Sequence, residues 1–356
     1  MRYVETDAES GVRIHQLTDD TRPADNIYGE QPYSPPESNR VAIRFYPDPD
    51  GGRDGELAVL DLTDGSLHTI IDTMPRFPAF HGWGEYVYNG EMVDGELLLR
   101  RWHWQTLKRE DILPLPKSTG NFSYGTVSPD HRWYAVSVIR PDESRIVMRF
   151  DIATGEERVI AESTEYYHFK HEQFSNDGNN HVLIQANVLP EVKEVHLGTL
   201  SVNGSDMTRL ACDQPHTPRP TGHEAWIGTS SSVFFSTAYD EKQRANLFTV
   251  GVGDTAPKRV IETEKHFGHV SVSRCGKYWI ADTGGEEGVP IYAGKLGTGT
   301  MRRLVVSGTI HDGKQWSHTH PYLTADNRWV IYASSRFGRP QVFGAEIPDD
   351  FWASLD

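Results

Sequence analysis

The stretch YGTVSPDHRWYAVSV, from Tyr124 to Val138, reads as an apolar strand, a polar turn and a second apolar strand. The plan returns as HEQFSNDGNNHVLIQ from His171, HVSVSRCGKYWIADT from His269 and HPYLTADNRWVIYAS from His320. Ser128, Ser175, Ser273 and Thr324 take the same place before the turn. The intervals between unit starts are 47, 98 and 51 residues. The double interval is filled by HEAWIGTSSSVFFST from His223, and two weaker units lie near Tyr28 and Pro75. A period of about 40–50 residues is the signature of a propeller or solenoid.

Hairpin-like segments follow the units, among them LAVLDLTDGSLHTI, IVMRFDIATGEERVI and EVHLGTLSVNGSDMTRL. Their Asp-Gly, Thr-Gly and Asn-Gly turns sit between alternating strands, a hairpin signal. Four short strands in each of seven units predict an all-β fold, a seven-bladed β-propeller formed by one domain over residues 1–356. The last unit ends at QVFGAEI and lacks a fourth strand. The N-terminal GVRIHQLT is expected to supply it and close the ring, which removes two exposed edges.

With 35 basic and 50 acidic side chains the chain carries a formal net charge of −15 and no basic block. Nucleic acid and anionic membrane surfaces are therefore poor partners. An anionic small substrate requires a local positive site that overrides this field. No run approaches about 18 consecutive apolar residues, the mark of a spanning helix. The two cysteines, Cys212 and Cys275, form no CxxC motif. Together these features predict a cytoplasmic protein, a monomer or small homo-oligomer.

In a propeller the innermost strand of each blade lines the central channel. The repeated position four residues before the turn hydroxyl holds Tyr124, His171, His269 and His320, with His223 in the intervening unit. Successive blades thus aim imidazoles at one volume. His318 lies two residues before His320, so both face the same side of the chain. Gln315 lies just upstream. Imidazole suits Mn, Fe, Ni, Cu and Zn, and a carboxamide oxygen shifts the balance towards Mn²⁺. His269, Gln315, His318 and His320 are the expected ligands of a divalent metal. With no anionic ligand the ion keeps its full charge and is a strong Lewis acid.

The segment QWSHTHPYLTADNRWVIYASSRFGRPQVF, from Gln315, resembles the last blade of the oligogalacturonate lyases, seven-bladed propellers of polysaccharide lyase family 22. The family pattern Gln-x-x-His-x-His matches Gln315, His318 and His320, and HVSVSRCGKYW puts the further histidine ligand at His269. The family's catalytic histidine lies in a Gly-His-Glu segment one blade earlier, matched by Gly222, His223 and Glu224. These motifs cover residues 222–343; elsewhere the likeness is one of blade plan. The family arginine that precedes the catalytic histidine has no counterpart, and His196 falls near its place, with Lys193 the nearest fixed cation. IQANVLP stands where the family has a His-Glu-Gly segment, so the resemblance implies a uronate-containing sugar without fixing which one.

The resemblance implies a metal-dependent lyase that cleaves short oligogalacturonate-like substrates by β-elimination. The metal, Mn²⁺ above others, neutralises the C5 carboxylate, and His223 is the expected base for the C5 proton. The competing roles for His223 are a fifth ligand or a structural histidine. His196 and Arg219 are the further catalytic candidates, while His171, Lys193 and Arg336 are expected to contact an anionic oligosaccharide. His81 and Trp83 are candidates for a sugar-stacking edge. The alternative is a non-catalytic binding propeller, which predicts scattered channel histidines and no metal.

Overall fold

The computed structural model describes residues 1–46, 55–72, 78–116, 119–163, 167–204, 206–310 and 317–356. Strands arranged as antiparallel meanders radiate from a central axis, and the all-β propeller is borne out. The described strands form six hydrogen-bonded sheets. Five are separate blades of four or five strands, against the seven separate blades expected. The reason lies in the sixth sheet, which has eight strands. There the inner strand Pro78–Phe80 pairs in parallel with the inner strand Asn121–Val127, through Ala79 with Gly125 and Phe80 with Thr126. Two four-stranded meanders are thereby fused edge to edge.

The turn hydroxyl explains the sequence repeat. Ser128 Oγ accepts the Trp133 amide at 2.9 Å and donates to Asp130 at 2.5 Å. Ser175 does the same with His181 and Asp177, and Thr324 with Trp329 and Asp326. Each clamp satisfies buried backbone at the hairpin and sets the register of both strands. In the unit from His269 the aspartate is replaced by Cys275, whose sulfur lies 3.3 Å from Ser273 Oγ. Gly276 follows at φ +68°, where a glycine avoids the cost of the left-handed conformation.

Packing is between neighbouring sheets. Trp133, Ala135 and Val147 of one sheet bury against Phe169, Val182 and Ile184 of the next. Leu183 and Leu197 meet Trp226, Val233 and Phe235 in the same manner. Each strand alternates between two such interfaces, so blades buried on both faces carry near-continuous apolar runs.

The ring is closed as the sequence predicts, with one strand added. Arg13–Gln16 pairs antiparallel with Gln341–Glu346, and Arg2–Thr6 lies outside it. The C-terminal helix Asp349–Ala353 buries Phe351 against this sheet's core. No helix among the described residues is long and apolar enough to cross a membrane.

The inner strands share an irregularity. Register shifts fall between Phe122 and Gly125, Lys170 and Gln173, Pro220 and Glu224, and Phe267 and Val270. They bracket Tyr124, His171, His223 and His269, the repeated inner positions. A bulge frees a residue from the ladder and re-aims its side chain. Here it turns the imidazoles out of the pleat.

Candidate functional site

His269, His318 and His320 come together. One ligand-capable atom from each lies within 4.8 Å of the others. The rings of His269 and His318 are 5.1 Å apart, and those of His269 and His320 are 4.5 Å apart. His318 Nδ1 lies 3.3 Å from His269 Nε2. Asp282 orients His269: its Oδ1 accepts the His269 amide at 2.8 Å and its Oδ2 meets Nδ1 at 2.7 Å. Thr319 also donates to Oδ2. A carboxylate on Nδ1 fixes the tautomer and leaves Nε2 with its lone pair towards the cluster, the arrangement metal-bound histidines use. Burial raises the Asp282 carboxyl, but His269 and Thr319 outweigh it and hold the group at about 2.

His320 is fully buried and has φ +42°, a conformation that a non-glycine residue adopts under constraint. Its carbonyl accepts from Asn26 Nδ2 at 2.6 Å. Burial, then the neighbouring imidazoles of His269 and His318, hold its pKa well below the usual value, so its ring is neutral.

Beside this trio, His223 packs its ring 4.3 Å from that of His269. His223 Nδ1 lies 2.5 Å from Glu30 Oε1, and the Glu30 side chain is almost wholly buried. Burial lowers the His223 pKa, but the Glu30 carboxylate outweighs it and the net direction is up. On the other wall Tyr28 Oη and His171 Nε2 are 3.1 Å apart, and His171 Nδ1 is 3.4 Å from Glu224 Oε1. The Tyr28 ring also stands 4.7 Å from that of His320.

These groups open on a cleft of about 460 Å³, lined by Tyr28, His171, His223, His269 and His318, and further out by Lys170, Gln185, Asn187 and Arg219. No carboxylate is among its described lining residues.

The expected residues divide in two. His269, His318, His320, His223, His171 and Arg219 are at or on the cleft; Gln315 lies outside the described residues. Arg219 donates to the Val192 carbonyl at 2.7 Å. His196, Lys193 and Arg336 are not among the described residues that line the cleft. In the strand Val195–Ser201 it is Val195 that faces the cleft; His196, one residue on, turns to the opposite face and sits 2.7 Å from Asp213. Lys193 is four-fifths exposed and paired with Glu191 at 2.7 Å. Arg336 binds Glu5 at 2.6 Å. His81 and Trp83 are buried rather than offered to a sugar.

Sequence reasoning missed Glu30, Tyr28, Asp282 and Lys170. Asp282 has a signal, a carboxylate inside the apolar run YWIADT. Tyr28 and Glu30 open the weak first unit, where the repeat itself pointed inward. Lys170 directly precedes His171 and is a register partner of Gln185.

A propeller with an imidazole trio and a carboxylate-backed histidine at one cleft is the class that fold and site define. Comparison with known proteins narrows it. No family model matches. Over 225 residues the chain is 21% identical to the oligogalacturonide lyase of Pectobacterium atrosepticum and 21% identical to the oligogalacturonate lyase of Dickeya dadantii. The match covers 58% of this chain, and the chain spans about half the length of these curated relatives, 56% in each case. Among solved structures, an oligogalacturonate lyase in complex with manganese superposes with a TM-score of 0.79 at 16% identity, covering 99% of this chain and 98% of that one. The oligogalacturonate lyase of Vibrio parahaemolyticus gives 0.75, also at 16%, over 99% of this chain and 98% of that one. The resemblance to the oligogalacturonate lyases read from the motifs is thus present in sequence and in fold.

Proposed function

We propose that the protein is a metal-dependent lyase that cleaves uronate-containing oligosaccharides of the oligogalacturonate kind by β-elimination. The observation that carries this is the convergence of His269, His318 and His320 within 4.8 Å, next to the His223–Glu30 pair on one cleft. Three imidazoles, one locked by Asp282, suit a divalent ion, with Gln315 as the proposed fourth ligand. The likeness to an oligogalacturonate lyase solved in complex with manganese supports Mn²⁺. Such an ion supplies charge that lowers the cost of ionising the C–H beside a carboxylate. The gathering of the histidines weighs against a non-catalytic propeller.

The chain's own residues have defined tasks in this reading. Glu30 holds Nδ1 of His223, so Nε2 is the atom that takes the C5 proton. The C5–H electron pair becomes the second bond of C4=C5. The C4–O bond breaks, its pair stays on the departing oxygen, and that oxygen takes up a proton. A positioned base contributes roughly 10²–10⁴-fold. The Glu30 carboxylate keeps His223 basic, whereas a nearby dication alone pushes its pKa down.

We read the eight-stranded sheet as two blades, which makes the ring sevenfold. A reducing, cytoplasmic setting fits the two free cysteines, Cys212 buried and Cys275 exposed. The test is to offer oligogalacturonides and follow the absorbance of the unsaturated uronate. Signal that rises with Mn²⁺ and vanishes with a chelator supports the reading; its absence under all metals ends it.

A further inference from the structure

An elimination moves a proton off carbon and another onto the departing oxygen, and the His223–Glu30 pair serves only the first. A second imidazole–carboxylate pair stands on the other wall. His171 Nδ1 lies 3.4 Å from Glu224 Oε1, and the Glu224 side chain is fully buried. Neither Glu224 oxygen has a hydrogen-bond partner among the described residues, nor has His171 Nδ1. A buried carboxylate that meets no proton donor is costly. Each of these two groups therefore supplies what the other lacks, with a proton on Nδ1.

The backbone holds the pair in place. His171 sits in the bulge between Lys170 and Gln173 at φ +59°, which takes its ring out of the pleat. Glu224 comes from the next sheet, where Gln173 Nε2 donates to its carbonyl at 2.7 Å. The other ring nitrogen, His171 Nε2, faces Tyr28 Oη at 3.1 Å. Tyr28 and His171 line the cleft. The order is thus buried carboxylate, imidazole, phenol, cleft. The segment Tyr28-Gly29-Glu30 ties both pairs together: Glu30 meets His223, Tyr28 meets His171, and Gly29 lies against the His320 backbone.

We propose that Tyr28 donates the proton that the departing C4 oxygen takes up, with His171 and Glu224 as the positioning residues that resupply it. This rests on the lyase reading and adds the source of the second proton. With a proton on each ring nitrogen, His171 Nε2–H donates to Tyr28 Oη and turns the phenol O–H towards the sugar. As the C4–O bond breaks, its electron pair takes the Tyr28 proton, and Tyr28 Oη takes the one on Nε2. Tyr28 ends as it began. His171 is left neutral, its Nδ1–H still on Glu224, and solvent returns a proton to it as His223 gives one up. Base and donor stand on different walls, so the proton and the oxygen can leave from opposite faces of the sugar ring.

The test uses the metal-loaded chain and two probes. Digalacturonate has a sugar oxygen that needs a proton to leave; galacturonate carrying a dinitrophenyl ether at O4 has a phenolate that needs none. Tyr28→Phe is expected to lower kcat for digalacturonate by about 100-fold or more, and Glu224→Gln by about tenfold or more, the range of a positioned acid. Both variants keep turnover of the aryl ether within about threefold of wild type, because only protonation of the leaving group is lost. That retained turnover also shows that they are folded and hold metal. His223→Ala loses both probes. Equal losses on the two probes in both variants overturn the donor and leave the lyase reading standing, as does digalacturonate turnover untouched by Tyr28→Phe. A wild-type chain that eliminates neither probe ends that reading and the donor with it.

Discussion

Gly29 packs against the backbone of His320 so closely that a Cβ on it would lie 2.7 Å from the His320 carbonyl carbon. Backbone cannot yield as a flexible side chain does, so a methyl group here moves the residue that carries the imidazole. Gly29→Ala is expected to weaken divalent-metal binding by about tenfold or more while leaving the propeller folded, since sites of this kind tolerate little displacement of their ligands. Competitive metal titration measures it; unchanged affinity shows that the Gly29–His320 contact does not position the trio.

Asp282 acts on the same trio through His269. Asp282→Asn keeps the shape and removes the charge behind Nδ1. Loss of a partner of this type lowers metal affinity by about 10–100-fold. Metal content after dialysis against a weak chelator reads the change, and retention equal to wild type contradicts the role.

His223 and His320 separate base from ligand. His223→Ala is expected to abolish turnover and keep the metal, whereas His320→Ala loses both. Glu30→Gln should lower kcat by about 10-fold or more with KM and metal content little changed, because a base is disoriented rather than a binding contact removed. A His223→Ala protein that retains most of its activity removes His223 as the base.

Lys193→Ala and Arg336→Ala are expected to leave KM within about twofold. Both cations are paired with carboxylates away from the cleft, and exposed pairs of this kind contribute little, about 0–1 kcal/mol. A large rise in KM for either would place substrate where the cleft does not lead.

The pH dependence of stability has a separate origin. His81 is buried with its ring 4.4 Å from that of His131, and burial, then the His131 imidazole and Arg101, lowers its pKa to about 3. The unfolded chain takes up this proton below about pH 6.5, while the folded chain resists until about pH 3. Stability from this group is therefore complete above about pH 6.5 and declines as the pH falls towards 3. The slope approaches about 1.4 kcal/mol per pH unit within that window. Urea unfolding of wild type and His81→Gln at pH 7.5 and 4.5 should show the smaller acid loss in the variant.

Much of this was legible from the repeat. A hydroxyl that clamps the turn recurs in four units because those hairpins need the same backbone satisfied, so blade spacing and the inward position were both visible. The histidine trio followed from that position. What escaped depends on side-chain direction and on distant pairing. The alternation that puts Val195 in the cleft and hides His196 needs the strand's face, which a departure from a family pattern does not supply. Glu30 meets His223 across 193 residues of sequence, and no local pattern announces such a contact. The edge pairing of Ala79 with Gly125, which merges two meanders, is likewise a property of the assembled ring.

Because Arg13–Gln16 completes the sheet of Gln341–Glu346, the sheet next to His318 and His320 cannot be finished until the chain has been synthesised through Glu346. At about 5–20 residues per second, the strand Arg13–Gln16 waits roughly 15–65 s for this mate. Throughout that interval a nascent chain exposes two unsatisfied borders, and it is then that chaperones would find it most attractive.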